Sequence, residues 1–324
     1  MIRDKILGMY LGTPIGDILG LPFETMEFGT YERVTDYGAW GVPVAWSDDT
    51  QFTLAVTNSL MESSGFDIKS QAQWHVRAYQ DTTFGWGSTT KYCCRKLLEG
   101  VPPTEMEYGQ TKGTGNGVAM KISPIAAYMH SNRPGRIGIK EYIVPLAQDI
   151  IDFSRMTHHS AVSAQSGLAQ VAAVMYCLSV EPDEFSAERF VEEVVFASEI
   201  GLEHPELTDG PDLTTRLRIV DRLKDSPPEA IVDVFGGGTS YVYNSLPFSY
   251  AFFLQNPHSI ESLYEVVSAG GDTDTNGAIV GCLLGALHGN RIFPDHLIAG
   301  IPLAGLAEIN DMANAFNDKF YSRG

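Results

Sequence analysis

Two ladders of glycines spaced four residues apart most constrain how this chain can fold. One ladder runs through the N-terminal segment and the other follows the acidic stretch GGDTDTNG: Gly8, Gly12, Gly16 and Gly20, then Gly277, Gly281, Gly285 and Gly289. Each glycine inside a helix costs about 1 kcal/mol relative to alanine. Close helix packing along an i±4 ridge would compensate for that cost. We therefore predict two central helices that pack against each other.

Acidic residues accompany both ladders. Asp17 lies inside the first ladder and Glu24 follows it, whereas Asp272 and Asp274 precede the second. A pair of ladder helices lying side by side would bring these four carboxylates near one place. The simpler interpretation, that the ladders serve packing alone, does not account for the acids.

Helical periodicity dominates the remaining sequence. DTQFTLAVTNSLMESSG places Phe52, Val56 and Leu60 on one stripe, and SAVSAQSGLAQVAAVMYCLSV carries a similar one. The best strand candidate is the short TSYVYN, and Pro247 in SLPFSYAFFLQN is expected in the first turn of a helix. No linker-like segment divides the chain. The pattern predicts an all-α fold with residues 1–324 as one domain.

Composition excludes several classes of protein. The chain has 22 basic and 40 acidic residues, a net charge of −18, which argues against binding nucleic acid or an anionic membrane through general electrostatics. Its four cysteines, two of them adjacent at Cys93 and Cys94, form neither a disulfide framework nor a zinc motif. No signal-type cleavage site or long uninterrupted apolar run is found. We expect a soluble, cytoplasmic protein.

Two short acidic motifs stand at predicted helix starts. WSDDTQ contains Ser47, Asp48 and Asp49, and GGDTDTNG contains Asp272, Asp274 and Thr275. Oxygen-only ligand sets suit hard cations such as Mg²⁺, Mn²⁺ or Ca²⁺. Helix capping is the alternative, because a helix N-terminus favours one negative charge. Several adjacent carboxylates would repel one another unless a cation intervened, so the pair of motifs favours a metal site.

Two familiar motifs do not fit Asp272. An EF-hand loop beginning there would need a glutamate at its twelfth position, which is Leu283. A D-x-D-x-T phosphatase motif would stand near the start of a Rossmann-like core, but too little chain follows this one to build that core. Both assignments are therefore rejected.

Taken together, GTPIGDILGLPFE, WSDDTQ and GGDTDTNGAIVGCLLGALHG resemble the ADP-ribosylglycohydrolase family, which includes the dinitrogenase reductase-activating glycohydrolase. GTGNGVAMKISPIA and THHSAVSAQSG fall in the family's order, so the resemblance spans residues 5–290. It implies an orthogonally packed helical domain with a central binuclear Mg²⁺ or Mn²⁺ cleft. The metal ligands that it implies are Ser47, Asp48, Asp49, Asp272, Asp274 and Thr275.

The same resemblance assigns the substrate side. Gly115, Asn116 and Gly117 would form the loop that holds ADP-ribose, with Met120 nearby and His158 contacting the ligand. FGWG, residues 84–87, is expected to contribute to the wall beside the phosphates. Lys121 stands where family members commonly carry arginine, a departure that affects substrate choice and leaves the metal motifs intact.

The chemistry agrees with this assignment. Cleavage at the ribose anomeric carbon passes through an oxocarbenium-like state, and two cations can hold the ribose diol and orient a water. Glu24, Asp49 and Asp272 are the candidates for the carboxylate that accepts the water proton, and the sequence does not choose among them. We expect a metal-dependent hydrolase that removes ADP-ribose from a protein side chain, arginine first. The alternatives are a catalytically silent ADP-ribose binder and a hydrolase of another nucleotide-like substrate.

Overall fold

The computed structural model describes residues 2–38, 44–106, 113–135, 137–202 and 210–322. These residues contain no β-strand, and they form sixteen α-helices joined by turns and short 3-10 segments. In chain order the helices are α1 (Ile2–Gly20), α2 (Asp48–Ser63), α3 (Ile68–Asp81), α4 (Ser88–Leu98), α5 (Ser123–Asn132), α6 (Ile139–Ile143), α7 (Ala147–Thr157), α8 (Ala161–Ser179), α9 (Ala187–Leu202), α10 (Thr214–Leu217), α11 (Pro228–Phe235), α12 (Val242–Gln255), α13 (Glu261–Val267), α14 (Thr273–His288), α15 (Asp295–Gly300) and α16 (Leu303–Phe320). The all-α prediction is confirmed.

The glycine ladders form an antiparallel seam between α1 and α14. A β-carbon added at Gly12 would lie 2.0 Å from the carbonyl oxygen of Gly281, and one added at Gly16 would lie 2.0 Å from that of Gly277. Real β-carbons do not approach backbone this closely, so only glycine permits the contact. The prediction that the two ladder helices pack against each other is confirmed.

The seam lies at the centre of the protein. Every residue of α14 from Thr273 to Leu287 is buried, and α8 is buried from Val162 to Leu178. Helices that are apolar on all sides belong in a core. One apolar cluster contains residues from Ile6 near the N-terminus to Phe320 near the C-terminus.

Two helical segments, Ile2–Phe23 and Ala161–Ser179, are long and apolar enough to cross a membrane by length and composition. In this fold 83% of the most apolar 18-residue stretch of the first segment and 94% of that of the second are buried inside the protein. Packing in the core accounts for their apolar composition.

Two local predictions are wrong. TSYVYN is not a strand, because α12 already begins at Val242 and only an isolated bridge joins Gly115 to Tyr241. Pro247 therefore lies inside α12, beyond its first turn. The bridge has a structural use: Asn116 N donates to Ser240 O at 3.0 Å, and Val242 N donates to Thr114 O at 3.0 Å. These bonds tie the glycine-rich GTGNG segment to the start of α12.

Candidate metal and substrate site

Asp17 anchors the first acidic motif to the seam. Its fully buried carboxylate accepts hydrogen bonds from Ser47 N at 2.9 Å, Thr50 N at 3.1 Å and Thr50 Oγ1 at 2.7 Å. Ser47 is the N-cap of α2, and its Oγ accepts from Asp49 N. The loop before α2 is thus held against α1 by one carboxylate, which places Asp48 and Asp49 beside the ladder.

Asp49 and Thr275 join the two acidic motifs. Thr275 Oγ1 and Ser47 Oγ each donate to Asp49 Oδ2 at 3.1 Å. The other carboxylate oxygen, Asp49 Oδ1, is buried and has no hydrogen-bond partner among the residues that the structure describes. A buried anionic oxygen without a donor is costly, and a cation would satisfy it.

Three further carboxylates converge on the same place. Ligand atoms of Glu24, Asp272 and Asp274 all lie within 4.8 Å of one another. These three carboxylates offer the oxygen-only donor set that Mg²⁺ and Mn²⁺ prefer. The residues present therefore fit a divalent-cation centre.

The acids repel one another in this arrangement. Burial, Asp17 and Asp272 raise the pKa of Asp48 to about 8. Burial, followed by the neighbouring aspartates, raises the pKa values of Asp49 and Asp274 well above the usual range. Buried carboxylates this close together ionise with difficulty, and a nearby positive charge stabilises their ionised forms. A divalent cation would supply that positive charge.

A chain of amides and hydroxyls orients Asp272. Asn116 Nδ2 donates to Asp272 Oδ2 at 2.7 Å and lies 3.0 Å from Ser245 Oγ. Ser245 Oγ donates in turn to Asn276 Oδ1 at 2.8 Å, and Asn276 Nδ2 donates to Gly238 O at 2.7 Å. Asn116, predicted to contact substrate, thus fixes the direction of a candidate metal ligand through its side chain.

A cavity of about 210 Å³ opens over these acids. It is lined by ten of the residues predicted from sequence: Glu24, Asp48, Gly115, Asn116, Gly117, Met120, His158, Asp272, Asp274 and Thr275. Two predicted ligands, Ser47 and Asp49, are absent from this lining; Asp49 accepts hydrogen bonds from both Ser47 and Thr275. The structure therefore brings both acidic motifs and the glycine loop to one cleft.

The glycine loop permits close approach of His158. A β-carbon added at Gly117 would lie 2.7 Å from His158 Cε1, so a side chain at this position would displace the His158 ring. Of the FGWG segment, Gly85 and Gly87 line the cavity. Trp86 instead packs on Phe52 with ring centroids 4.3 Å apart, and its Nε1 donates to Gln51 Oε1 at 2.6 Å.

A second opening adjoins the first. A groove of about 420 Å³ shares Glu24, Ser240 and Asp272 with the cavity, and the rest of its lining is different. Its other walls include Met26, Phe28, Val232 and the glycines that end α11. The shared acids therefore form the border between two openings.

Three residues that build the site were not among the predicted site residues, although Asn276 belongs to the GGDTDTNG motif. Ser245 and Asn276 orient Asp272 indirectly, and Ser240 lines both openings. No motif marks Ser245 or Ser240. Asn276 follows the DTDT motif directly and was the one available signal.

Comparisons with known proteins identify the family and the fold. A family model described as ADP-ribosylglycohydrolase matches residues 1–324. The chain is 25% identical to ADP-ribosylhydrolase ARH3 of Xenopus tropicalis, over 90% of this chain and 89% of that protein. It is 22% identical to ADP-ribosyl-[dinitrogen reductase] glycohydrolase of Rhodospirillum rubrum, over 97% and 96%.

A solved structure has the same fold. The chain superposes on an ADP-ribosylglycohydrolase-related protein complex with a TM-score of 0.73 at 24% identity, over 98% of each chain. The uncharacterized protein YegU of Escherichia coli is another relative, 25% identical over 97% of each chain.

Proposed function

This chain belongs to the ADP-ribosylglycohydrolase family, and on that premise we propose that it is a metal-dependent hydrolase that cleaves the glycosidic bond between ADP-ribose and an acceptor side chain. The observation that carries the proposal is the convergence of Glu24, Asp272 and Asp274 around one point. We further propose that residues 1–324 act as one domain in the cytoplasm. The net charge of −18 supports a substrate other than nucleic acid or membrane.

The acidic cleft suits a pair of divalent cations, Mg²⁺ or Mn²⁺. The residues that would hold them are Ser47, Asp48, Asp49, Asp272, Asp274 and Thr275. When bound, such cations supply positive charge for the ribose hydroxyls and for the attacking water. Asn116 keeps Asp272 oriented toward them through its 2.7 Å hydrogen bond.

Glu24 is the best placed of the three candidate bases. Asp49 is absent from the cavity lining, with Oδ2 held by two hydroxyls, and Asp272 is engaged by Asn116. Glu24 is the most exposed of the three, and it lines both openings. Burial and the charge of Asp272 raise its pKa, which suits a group that accepts a proton from water near neutral pH.

Arginine is the proposed acceptor. The cavity and the groove meet at Glu24 and Asp272, so a bond cleaved there leaves one fragment on each side. The groove carries the carboxylates of Glu24, Glu27 and Asp272, and neither lysine nor arginine lines it among the described residues. Acidic groups beside apolar walls such as Met26 and Phe28 suit a guanidinium on an aliphatic stem.

Hydrolysis of defined conjugates tests the proposal. The protein is incubated with Mg²⁺ or Mn²⁺ and either ADP-ribosylarginine or ADP-ribosylserine, and released ADP-ribose is measured. We expect faster release from the arginine conjugate, loss of release in Asp48→Ala and Asp272→Ala, and no change in the exposed control Asp225→Ala. Binding of ADP-ribose without turnover would indicate a catalytically silent binder. Absence of both binding and turnover would refute the assignment to ADP-ribose.

A further inference from the structure

Lys121 is an entirely buried cation behind the substrate cavity. Its side chain is 0% exposed, and its ammonium lies 4.6 Å from the ring centre of Phe52 and 5.6 Å from that of Phe153. Its one hydrogen bond within the described residues runs from Nζ to Thr157 Oγ1 at 3.1 Å. An ammonium group can only donate, so Thr157 must accept this bond.

Because the Thr157 hydroxyl oxygen accepts from Lys121, the direction of its hydrogen toward His158 is fixed. Thr157 Oγ1 lies 3.1 Å from His158 Nδ1. A hydroxyl carries a single hydrogen, and elsewhere among the described residues that hydrogen has no acceptor. Since the oxygen accepts from Lys121, its hydrogen points to Nδ1. His158 Nδ1 is therefore the acceptor, and the ring proton resides on Nε2.

The protonated nitrogen faces the cavity. His158 Nε2 lies close to the glycine loop: a β-carbon would be 3.4 Å from it at Gly115 and 3.1 Å from it at Gly117. All three residues line the cavity. Burial, reinforced by the charge of Lys121, lowers the pKa of His158 to about 3. The ring is thus neutral at physiological pH, and its tautomer decides whether it offers a donor or a lone pair.

We propose that Lys121 is a positioning residue that acts through Thr157 to hold His158 as the Nε2–H tautomer, so that the ring donates a hydrogen bond to a substrate oxygen in the cavity. The identity of that substrate, ADP-ribose, rests on the proposed function. The tautomer itself depends only on the Lys121–Thr157–His158 contacts.

Nitrogen NMR of the ¹⁵N-histidine-labelled full-length protein at neutral pH tests the tautomer without any substrate. We expect the His158 ring to carry its proton on Nε2 in the wild type and in Thr157→Ser. Thr157→Val removes the hydroxyl while leaving the Lys121 charge near Asp48, and we expect it to give a mixture of tautomers. Lys121→Met is expected to do the same. A proton on Nδ1 in the wild type, or an unchanged tautomer in Thr157→Val, would overturn the proposal.

Calorimetry with ADP-ribose then tests the consequence. Because only the Nε2–H fraction can donate, binding in Thr157→Val is expected to weaken by the inverse of the fraction that NMR measures, about twofold for an equal mixture, with recovery in Thr157→Ser. Equal affinities in the two variants would contradict the role of the tautomer. Failure of the wild type to bind ADP-ribose while the NMR result holds would refute the proposed function and leave the positioning role standing. If Lys121→Met does not fold, the Thr157 pair still decides the question.

Discussion

Gly12→Ala tests the seam on which the site is built. A β-carbon at this position would lie 2.0 Å from the Gly281 carbonyl oxygen. Carbon–oxygen contacts need about 3.3 Å, so the helices must separate by about 1.3 Å. The two nearest atoms, the carbonyl oxygen and carbon of Gly281, belong to the backbone and cannot rotate away, and Phe293 Cζ lies 2.8 Å from the same point. The strain must therefore move the whole of α1 relative to α14.

The energetic cost follows from two opposing effects. Alanine improves helix propensity by about 1 kcal/mol, whereas overpacking costs about 1–3 kcal/mol, and a backbone-to-backbone clash belongs at the upper end. The net loss is about 2 kcal/mol, which lowers Tm by about 3 °C in a chain of this length. The effect on the site is larger, because metal ligands tolerate displacements of only about 0.2 Å.

Thermal unfolding and calorimetric titration with Mg²⁺ or Mn²⁺ measure both effects. We expect Gly12→Ala to unfold a few degrees earlier and to lose metal uptake. Gly135→Ala is the control, since a β-carbon there meets no atom within 4 Å, and it should match the wild type in both assays. Wild-type stability and metal affinity in Gly12→Ala would refute the argument that the seam sets the geometry of the site.

Three further predictions concern the acids. Burial, Asp17 and Asp272 raise the pKa of Asp48 in the folded protein to about 8, above its value in the unfolded chain. The protonated Asp48 therefore contributes its full stability below the unfolded pKa. That contribution is lost as the pH rises toward 8. With a chelator present, Tm measured between pH 5 and pH 8 should fall with pH, and added Mg²⁺ should flatten the trend; the opposite slope would contradict the repulsion. Asp17→Ala leaves the buried donors of Ser47 and Thr50 without an acceptor, so denaturant unfolding should show a loss of about 1–3 kcal/mol per orphaned group, and an unchanged midpoint would count against its anchoring role. Asn116→Ala removes the orienting bond to Asp272, and kcat/KM for ADP-ribosylarginine should drop about 10- to 100-fold; wild-type kinetics would show that Asp272 needs no orientation.

The sequence predicted the seam and the cleft because both leave local signatures. A backbone contact between helices requires small residues at a fixed interval, and the ladders supply it. Within each acidic motif the carboxylates lie a few residues apart, so the contact between the motifs through Asp49 and Thr275 follows once the two ladder helices are paired.

The parts that sequence could not predict depend on partners that are distant in the chain. Ser245 is one serine inside a helix, and only the fold shows that it links Asn116 to Asn276. Lys121 departs from the family pattern in sequence, but only the folded structure brings it into contact with Thr157, 36 residues away. TSYVYN has strand-like composition, but only Tyr241 forms a bridge, and the residues after it already belong to α12.

The glycine seam also determines which parts of this protein can move. Helices in contact through their backbones have no rotamers to exchange, so α1 and α14 cannot slide or hinge without breaking many contacts at once. We expect α1 and α14 to move together as one unit beneath the cleft. We therefore expect any widening of the groove to come from its rim, which includes residues 24–28 and Gly236, Gly237, Thr239 and Ser240.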